Sequence, residues 1–233
     1  MRVFLLPLLD LLFPPACFHC HGRMETASLI VCDTCLEMIG TLDEDVCKKC
    51  GTPLESEDCE VCAENEFYFD IARAAYRFNG PMQTMIHQLK YNGMVSPVSF
   101  IVKGMQTTVN ANAELSDIDF ITAVPLHRVR LRERGFNQSE LLARALAKAL
   151  GVKYADPVSR HQYTESQTRL HKQQRIKNLG GAFKLRHKAD LTNKRVLLID
   201  DVFTTGSTVN EVSQVLKSGG AGYIAVLTAA RAV

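Results

Sequence analysis

The cysteine pattern constrains this chain more than any other feature. All eight cysteines lie before residue 63, in four Cys-x2-Cys pairs with none left over. Two thiolates separated by two residues can share one tetrahedral Zn²⁺, and a second pair completes the site. The pattern therefore predicts a small Cys-rich module with two zinc ions. The predicted ligands are Cys17, Cys20, Cys32, Cys35, Cys47, Cys50, Cys59 and Cys62.

Neighbouring pairs are expected to share one metal, because short loops cost less entropy to close. An interleaved cross-brace would use the same ligands and stays open at this point. Four thiolates leave no position for water, so the zinc ions are expected to be structural. An iron–sulfur cluster is an alternative occupant. His19 and His21 are expected to be bystanders, and Gly22 and Gly51 are expected at the positive φ of the two knuckle turns.

The N-terminal segment, 1–17, is an apolar run that invites a signal-peptide interpretation. Pro7 and Asp10 interrupt the run, which is too short to span a bilayer and has no clean cleavage site after it. We interpret it as a short helix docked on the protein. No other stretch approaches the length of a membrane span, so we expect a cytoplasmic protein without membrane insertion. In that reducing compartment disulfides are disfavoured.

The charge distribution divides the chain into two units. Residues 1–70 hold four Lys/Arg against fourteen Asp/Glu, whereas residues 71–233 hold 23 against 11. With 46% hydrophobic residues, the chain can bury one ordinary core and one small satellite. We therefore predict a zinc module at 1–66 and a second domain at 67–233. The basic domain suits a phosphate-rich partner, although a solvated charged surface would give the same balance.

Strand-like and helix-like segments alternate in the second domain. The predicted buried strands cover residues 119–125, 194–199 and 223–229. Asn137–Glu140 resembles a capping box, and apolar residues at helical spacing follow it until Gly151. A second helix face runs from Val209 to Leu216. Short joins between strand, helix and strand predict an α/β fold with a parallel sheet and helices on both faces.

A polar segment follows the predicted strand that ends at residue 199. Ligands of such sheets bind beyond the carboxyl ends of strands. Asp200 and Asp201 are adjacent carboxylates that repel each other, and the two hydroxyls of a ribose would satisfy them. Backbone N–H groups and hydroxyls at a helix start make a cradle for phosphate. The predicted cradle consists of Thr204, Thr205, Gly206, Ser207 and Thr208. A solvated turn is the alternative.

Val196–Thr208 resembles the phosphoribosyl pyrophosphate (PRPP) signature of type I phosphoribosyltransferases. Nearly the entire chain resembles the ComF/GntX family of competence-associated proteins. This wider resemblance rests on the paired cysteines, the PRPP signature and four further segments. These segments are Val124–Arg128, Arg134–Gln138, Ser166–Arg169 and Gly181–Phe183, together with the single residues Arg175 and Asn178.

The resemblance implies a role for each matched segment. Asp200 and Asp201 would hold the ribose hydroxyls, and Thr204–Thr208 the 5-phosphate. Leu126, His127 and Arg128 match the pyrophosphate loop, and residues 164–178 match a flexible loop that closes over the site. The neighbouring arginines could neutralise a diphosphate that carries Mg²⁺, or form a solvated face. The catalytic candidates are Arg128, Arg132, Arg134, Asp200 and Asp201.

The family resemblance implies transfer of a phosphoribosyl group from PRPP to an unknown acceptor, with release of pyrophosphate. It also implies a link to DNA uptake and natural transformation, with single-stranded DNA and DNA-uptake proteins as further partners. The alternative is a non-catalytic PRPP-binding protein that handles incoming single-stranded DNA or senses PRPP. Aromatic residues form only 7% of the chain and Trp is absent, so stacking platforms for DNA are scarce.

Overall fold

The structure is a computed structural model that describes residues 15–24, 30–42, 45–54, 56–161, 181–186 and 189–232. Most of the predicted N-terminal helix, at 1–14, and the loop predicted at 164–178 lie outside the described residues.

A five-stranded parallel sheet forms the centre of the larger domain, in the order β1-β7-β6-β2-β3. Its strands are β1 (Ile71–Arg77), β2 (Phe120–Ala123), β3 (Lys153–Tyr154), β6 (Arg195–Phe203) and β7 (Tyr223–Arg231). A separate antiparallel pair consists of β4 (Val158–Arg160) and β5 (Phe183–Leu185). The predicted parallel sheet is therefore confirmed.

Helices cover both faces of this sheet. The sheet domain contains α3 (Gly80–Tyr91), α4 (Pro97–Ala111), α5 (Arg128–Arg134), α6 (Gln138–Leu150) and α7 (Ser207–Ser218), with a 3-10 turn at Ala113–Leu115. Two short helices, α1 (Asp33–Glu37) and α2 (Glu60–Glu64), lie in the cysteine-rich module. Because successive side chains of a strand point to opposite faces, Leu197 and Ile199 pack in the core beneath α3, α4 and α6. Val196 and Leu198 pack in the core beneath α7. The apolar run of β6 is therefore buried on both sides.

The ends of α6 agree with the sequence prediction in part. The side chain of Asn137 caps the helix by accepting a 3.1 Å hydrogen bond from the backbone N–H of Ser139. Gly151 ends the helix at a φ of 68°. Glu140 instead accepts a 2.8 Å hydrogen bond from Arg144, so the reciprocal half of the predicted capping box is not observed.

β6 is longer than predicted and contains the acidic pair. The sequence predicts a strand that ends at residue 199, but β6 continues to Phe203 because β7 runs beside it, pairing Asp200 with Thr228 and Phe203 with Arg231. On its other side β6 loses its neighbour earlier, since the register of β2 ends with Ala123 opposite Ile199. The acidic pair therefore lies in a strand that protrudes beyond β2, rather than in a turn.

The zinc module consists of two ribbons, ribbon 1 (Cys17–Cys35) and ribbon 2 (Cys47–Cys62). Their knuckles match: Cys17 N–H donates to Gly22 at 2.9 Å, and Cys47 N–H donates to Thr52 at 2.7 Å. Positive φ falls on Gly51 (72°), as expected, but on His21 (60°) in ribbon 1. The prediction for Gly22 is wrong because the residue directly after the second cysteine takes this conformation in both ribbons.

Both ribbons pack on the sheet domain. His19 Nδ1 lies 2.9 Å from Thr84 Oγ1 on α3, and the N–H of Ala72 on β1 donates to the carbonyl of Lys49 at 2.7 Å. Cys17 and Cys35 belong to one core of the sheet, and Cys47 and Cys50 to the other. Across the described ranges, no helix combines the length and apolar character that a bilayer span requires.

Candidate functional site

The acidic pair is held by groups from two helices. Asp201 is buried; its Oδ1 lies 2.9 Å from Lys90 Nζ on α3, and its Oδ2 accepts a 2.8 Å hydrogen bond from Gln138 Nε2 on α6. Asp200 Oδ1 accepts hydrogen bonds from Ser139 Oγ at 2.8 Å and from the N–H of Asp201 at 2.9 Å. The protein itself therefore supplies partners for both carboxylates.

Burial and mutual repulsion change the protonation of this pair. Burial, followed by the neighbouring charge of Asp201, raises the pKa of Asp200 to about 7, against the opposing effects of Ser139 and Lys90. Burial lowers the pKa of Lys90, but its attraction to Asp201 and Asp200 outweighs burial and raises that pKa overall. Near neutral pH, Asp200 can therefore donate or accept a hydrogen bond at a ligand hydroxyl.

The start of α6 places the amide that orients Asp201. Asn137 Nδ2 donates to the carbonyl of Val124 at 3.0 Å, which fixes α6 to the segment that leaves β2. Gln138 then bridges Asp201 and Arg134, whose Nη1 donates to Gln138 Oε1 at 3.1 Å. A continuous polar chain therefore joins Lys90 to Arg134 through Asp201 and Gln138.

The sequence prediction does not assign Lys90, Gln138 or Ser139 to the site. A signal exists for Gln138 and Ser139, because two polar residues at the first positions of a helix after a buried strand lie at the ligand-binding edge of the sheet. Lys90 has no such signal, since it lies on a helix that precedes β2 and is far from Asp201 along the chain.

The predicted phosphate cradle forms the loop between β6 and α7. Gly206 caps α7 with a φ of 76°, and Thr205 Oγ1 lies 3.0 Å from Ser207 Oγ. A Cβ atom at Gly206 would overlap the ring of Phe203, so this position requires glycine for space as well as for φ. Thr204 is exposed, and Thr208 lies in the first turn of α7.

The predicted cations lie on α5, directly after β2. His127 Nδ1 accepts a 3.2 Å hydrogen bond from the N–H of Val129 and so caps this helix. Arg134 reaches the polar chain of the acidic pair through Gln138. Arg128 and Arg132 are exposed on the same helix. Of the three predicted catalytic arginines, the structure brings Arg134 to the acidic pair.

The cysteines form two clusters with the geometry of zinc sites. In each cluster the four sulfur atoms lie within 4.8 Å of one another, and Cys20–Cys32 and Cys47–Cys62 are separated by 3.7 Å. Four sulfurs placed tetrahedrally about 2.3 Å from Zn²⁺ are about 3.8 Å apart. The eight cysteines form no disulfide, and each cluster joins two neighbouring pairs, which is the arrangement that sequential ligation requires.

The electrostatics of the clusters also fit a cation. Burial opposes ionisation of Cys17, but backbone N–H groups, including that of Cys32 at 3.3 Å, lower its pKa to about 6. Burial, together with the other three thiols of ribbon 1, raises the pKa of Cys35 to about 12. Without a metal these sulfurs cannot all be thiolates at neutral pH. Zn²⁺ offsets their mutual repulsion, so both donor sets fit a structural zinc ion.

Two family models match the two units of the chain. The family model of the double zinc ribbon domain matches residues 8–65, and that of the phosphoribosyl transferase domain matches residues 137–232. An adenine phosphoribosyltransferase of known structure is 15% identical with a TM-score of 0.40, over 60% of this chain and 74% of that chain. The sheet, the cradle loop and the paired clusters define a phosphoribosyltransferase-like protein with an N-terminal double zinc ribbon.

Full-length relatives identify the family. The chain is 30% identical over 223 residues to competence protein F of Haemophilus influenzae, covering 93% of this chain and 96% of that protein. It is 29% identical over 219 residues to the DNA utilization protein YhgH of Escherichia coli K12, covering 91% and 95%. Competence protein ComFC of Streptococcus pneumoniae is 28% identical over 82% of this chain and 81% of that protein. The chain belongs to the competence protein F family, which confirms the predicted resemblance.

Proposed function

We propose that the protein binds PRPP through the segment Asp200–Thr208. The continuity of this segment carries the proposal: β6 leads from the acidic pair directly into the Gly206-capped start of α7. Carboxylates suited to the two ribose hydroxyls and N–H groups suited to the 5-phosphate therefore stand on one uninterrupted stretch of chain. The match of residues 137–232 to the phosphoribosyl transferase domain supports the same ligand.

Lys90 forms an ion pair with Asp201 at the place where the ribose is proposed to bind. It neutralises Asp201 at 2.9 Å, and Gln138 uses the second oxygen of that carboxylate. Because each carboxylate oxygen can accept more than one hydrogen bond, a ribose hydroxyl could bind Asp201 beside these partners or replace one of them. If Lys90 moves, its ammonium becomes available to a phosphate group of the ligand. Asp200, whose pKa is raised to about 7, is the carboxyl that can hydrogen-bond a hydroxyl in either protonation state.

We further propose that the protein transfers the phosphoribosyl group to an acceptor that is still unknown. The bond between ribose C1 and the diphosphate oxygen would break as a nucleophile bonds to C1, and the electron pair would leave with pyrophosphate. The acidic pair faces the positive charge that develops on the ribose, and Arg134 supplies positive charge nearby. Arg128, Arg132 and the Leu126–Arg128 turn are proposed to approach the diphosphate.

Mg²⁺ is proposed to accompany the diphosphate. The donor chemistry fits, because Mg²⁺ prefers oxygen ligands and is usually held by phosphate oxygens together with one or two carboxylates. The carboxylates and hydroxyls of Asp200, Asp201 and Thr204–Thr208 are such oxygen donors. When bound, the metal would offset the charge of the departing pyrophosphate.

The names of the relatives supply the proposed context. Competence protein F, ComFC and the DNA utilization protein YhgH are named for competence or the use of DNA. We therefore propose a role linked to DNA uptake and natural transformation. We also propose a cytoplasmic location, because two four-cysteine sites need reduced thiols.

Turnover tests the transfer reaction. We would measure pyrophosphate release from PRPP with Mg²⁺, in the presence of nucleobases, ammonia or single-stranded DNA, for the wild type, Gly206→Ala and Asp117→Asn. The acceptor that raises release in the wild type would be the substrate. Gly206→Ala should abolish release through its clash with Phe203, whereas Asp117, whose side chain is 90% exposed, serves as the control. If no acceptor raises pyrophosphate release in the wild type, the proposed transfer reaction is contradicted and only PRPP binding remains as the proposed function.

An exposed aromatic surface favours single-stranded DNA as a second candidate ligand. Tyr91, the neighbour of Lys90, is 51% exposed, and its ring lies 5.0 Å from the guanidinium of Arg134 and 4.6 Å from the ring of His87. Such rings can stack with bases in a sequence-tolerant way. Tyr91→Ala should weaken binding of a labelled oligonucleotide about tenfold at constant salt. The control is Tyr68→Ala, which removes a ring that is 40% exposed elsewhere; equal effects of the two variants would exclude stacking at Tyr91.

A further inference from the structure

Arg231, the last residue of β7, lies between ribbon 2 and the sheet. Only 3% of Arg231 is exposed. Its Nη1 donates to the carbonyl of Cys50 at 2.7 Å, and its Nη2 contacts Thr52 Oγ1. Cys50 is a candidate zinc ligand. Thr52 belongs to the same knuckle, and its carbonyl accepts a hydrogen bond from the N–H of Cys47. The knuckle of ribbon 2 therefore fixes the guanidinium from one side.

The other side of the guanidinium contacts the support of the cradle loop. The carbon at the centre of the guanidinium lies 4.1 Å from the centre of the Phe203 ring. Phe203 is 1% exposed and also meets the ring of Phe69 edge-on at 6.2 Å. The Phe203 ring in turn lies directly beneath Gly206, where it leaves no room for a Cβ atom. A displacement of this ring must move Gly206 or open a gap beneath it.

A zinc-loaded knuckle would strengthen the contact between Arg231 and ribbon 2 through its charge. Four thiolates around Zn²⁺ would carry a net negative charge, and the buried guanidinium, which donates to the carbonyl of Cys50, lies beside the cluster. A buried cation without its partners is strongly destabilising, so Arg231 is expected to leave this position when the knuckle opens. The contact of ribbon 1 described above goes instead to α3, through His19 and Thr84.

We propose that Arg231 is a positioning residue that couples ribbon 2 to the 204–208 loop. The knuckle of ribbon 2 holds Arg231, Arg231 holds Phe203, and the ring of Phe203 supports Gly206. The zinc of ribbon 2 thereby orders the loop proposed to bind phosphate, which lies near the opposite end of the chain. The effect on ligand affinity rests on the proposed function, whereas the coupling itself does not.

Arg73 provides a matched control. Its Nη1 donates to the carbonyls of Lys48 at 3.0 Å and Cys47 at 3.4 Å, so it is a second arginine of the sheet that binds the backbone of ribbon 2. Its Nε donates to Asn112, and Arg73 lies on β1 rather than beside Phe203. Loss of Arg73 should therefore loosen ribbon 2 without removing a contact to the support of the loop.

Hydrogen exchange of the full zinc-loaded chain tests the coupling without a ligand. We expect Arg231→Met to speed exchange of the amides at 204–208 about tenfold, with exchange in the last two turns of α7 unchanged. Arg73→Met should speed exchange at residues 47–52, and it should change exchange at 204–208 less than Arg231→Met does, because it keeps the contact between Arg231 and Phe203. Arg231→Lys should restore part of the protection, because it keeps the charge. Unchanged exchange at 204–208 in Arg231→Met, or an equal change in Arg73→Met, would overturn the proposal.

Emptying one ribbon at a time gives a second test that does not depend on Arg231→Met folding. Cys59→Ser in ribbon 2 and Cys20→Ser in ribbon 1 are compared at one zinc per chain, measured by native mass spectrometry. The 204–208 amides should exchange about tenfold faster in Cys59→Ser and at the wild-type rate in Cys20→Ser. Equal exchange in the two variants would contradict a specific role of ribbon 2.

PRPP binding separates failure of the coupling from failure of the proposed function. If the wild type binds PRPP, Arg231→Met should weaken its affinity about tenfold, and PRPP should slow zinc loss from ribbon 2 to a chelator, since coupling is reciprocal. Equal affinity of the two proteins would overturn the coupling. If the wild type binds no PRPP but the exchange results hold, the coupling stands and the proposed ligand is wrong.

Discussion

Like charges are gathered at two places in this molecule, and they are balanced in different ways. In the zinc ribbons, each cluster draws its four thiols from one short segment, Cys17–Cys35 or Cys47–Cys62, and a metal ion fits between them. At the acidic pair, Lys90 supplies the opposite charge to Asp201, and Gln138 and Ser139 donate hydrogen bonds to Asp201 and Asp200 from a second helix that is also far away in sequence. Local spacing therefore specifies the first kind of site, whereas tertiary packing assembles the second.

The largest expected difference between the two places is in stability. Cys47→Ser removes a buried zinc ligand, and the free energy of unfolding should fall by more than about 4 kcal/mol, because metal binding contributes directly to folding. Asp201→Asn keeps the shape of the side chain and should cost less. Urea unfolding, with zinc content measured in parallel, would show the difference. A smaller fall in the free energy of unfolding for Cys47→Ser than for Asp201→Asn would contradict the larger contribution of the zinc site to stability.

The buried ion pair between Lys90 and Asp201 should contribute more to the free energy of unfolding than the exposed pair between Lys194 and Asp119. Lys90→Met leaves the buried carboxylate of Asp201 without its cation, which should lower the free energy of unfolding by about 2 kcal/mol at pH 7. Lys194→Met breaks the 3.2 Å pair with Asp119 and should cost under about 1 kcal/mol, because both side chains are exposed to water. Equal losses in urea unfolding would show that burial of Asp201 is unimportant.

The acidic pair should make the protein less stable as the pH rises, whereas zinc binding to the cysteines should strengthen as the pH rises because it requires deprotonated thiols. The pKa of Asp200 is raised from 3.8 to about 7, so the folded state binds the proton more tightly than the unfolded chain. Its contribution is therefore fully present below about pH 4 and is lost as the pH rises towards 7. Asp200→Asn should remove a loss of roughly 2–3 kcal/mol between about pH 5 and pH 8. Parallel pH profiles of the two proteins in urea unfolding would contradict the raised pKa.

The smallest effect concerns the docking of ribbon 1. Thr84→Val removes the hydroxyl that lies 2.9 Å from His19 Nδ1 and should lower the free energy of unfolding by about 1 kcal/mol. Thr107→Val on α4 is the control, because its hydroxyl is exposed and donates within its own helix. A loss for Thr84→Val no larger than that of the control would indicate that this contact does not hold ribbon 1 in place.

The same contrast explains what the sequence could predict. The eight candidate ligands follow from spacing, and sequential pairing is favoured by the short loops that it closes. The parallel sheet follows from buried strands alternating with amphipathic helices. The position of Gly206 was also predictable, since a phosphate loop before a helix favours glycine. These features depend on residues close together along the chain.

The errors arise where distant contacts decide the structure. The end of β6 depends on β7, which pairs Phe203 with Arg231, and no property of residues 200–203 alone reveals this pairing. The partners of Asp201 depend on how α3 and α6 pack. In ribbon 1 the positive φ falls on exposed His21, whereas in ribbon 2 it requires Gly51, because a Cβ there would lie 2.5 Å from the carbonyl of Ala72. Docking therefore decides which residue each knuckle tolerates.

The most direct test of the central claim is calorimetric titration of PRPP with Mg²⁺ into the wild type, Asp200→Asn/Asp201→Asn and the exposed control Asp117→Asn. We predict saturable binding with one site per chain in the wild type and the control, and at least a hundredfold weaker binding in the double variant. Equal binding by all three proteins, or none by the zinc-loaded wild type, would contradict a ribose-phosphate site at Asp200–Thr208.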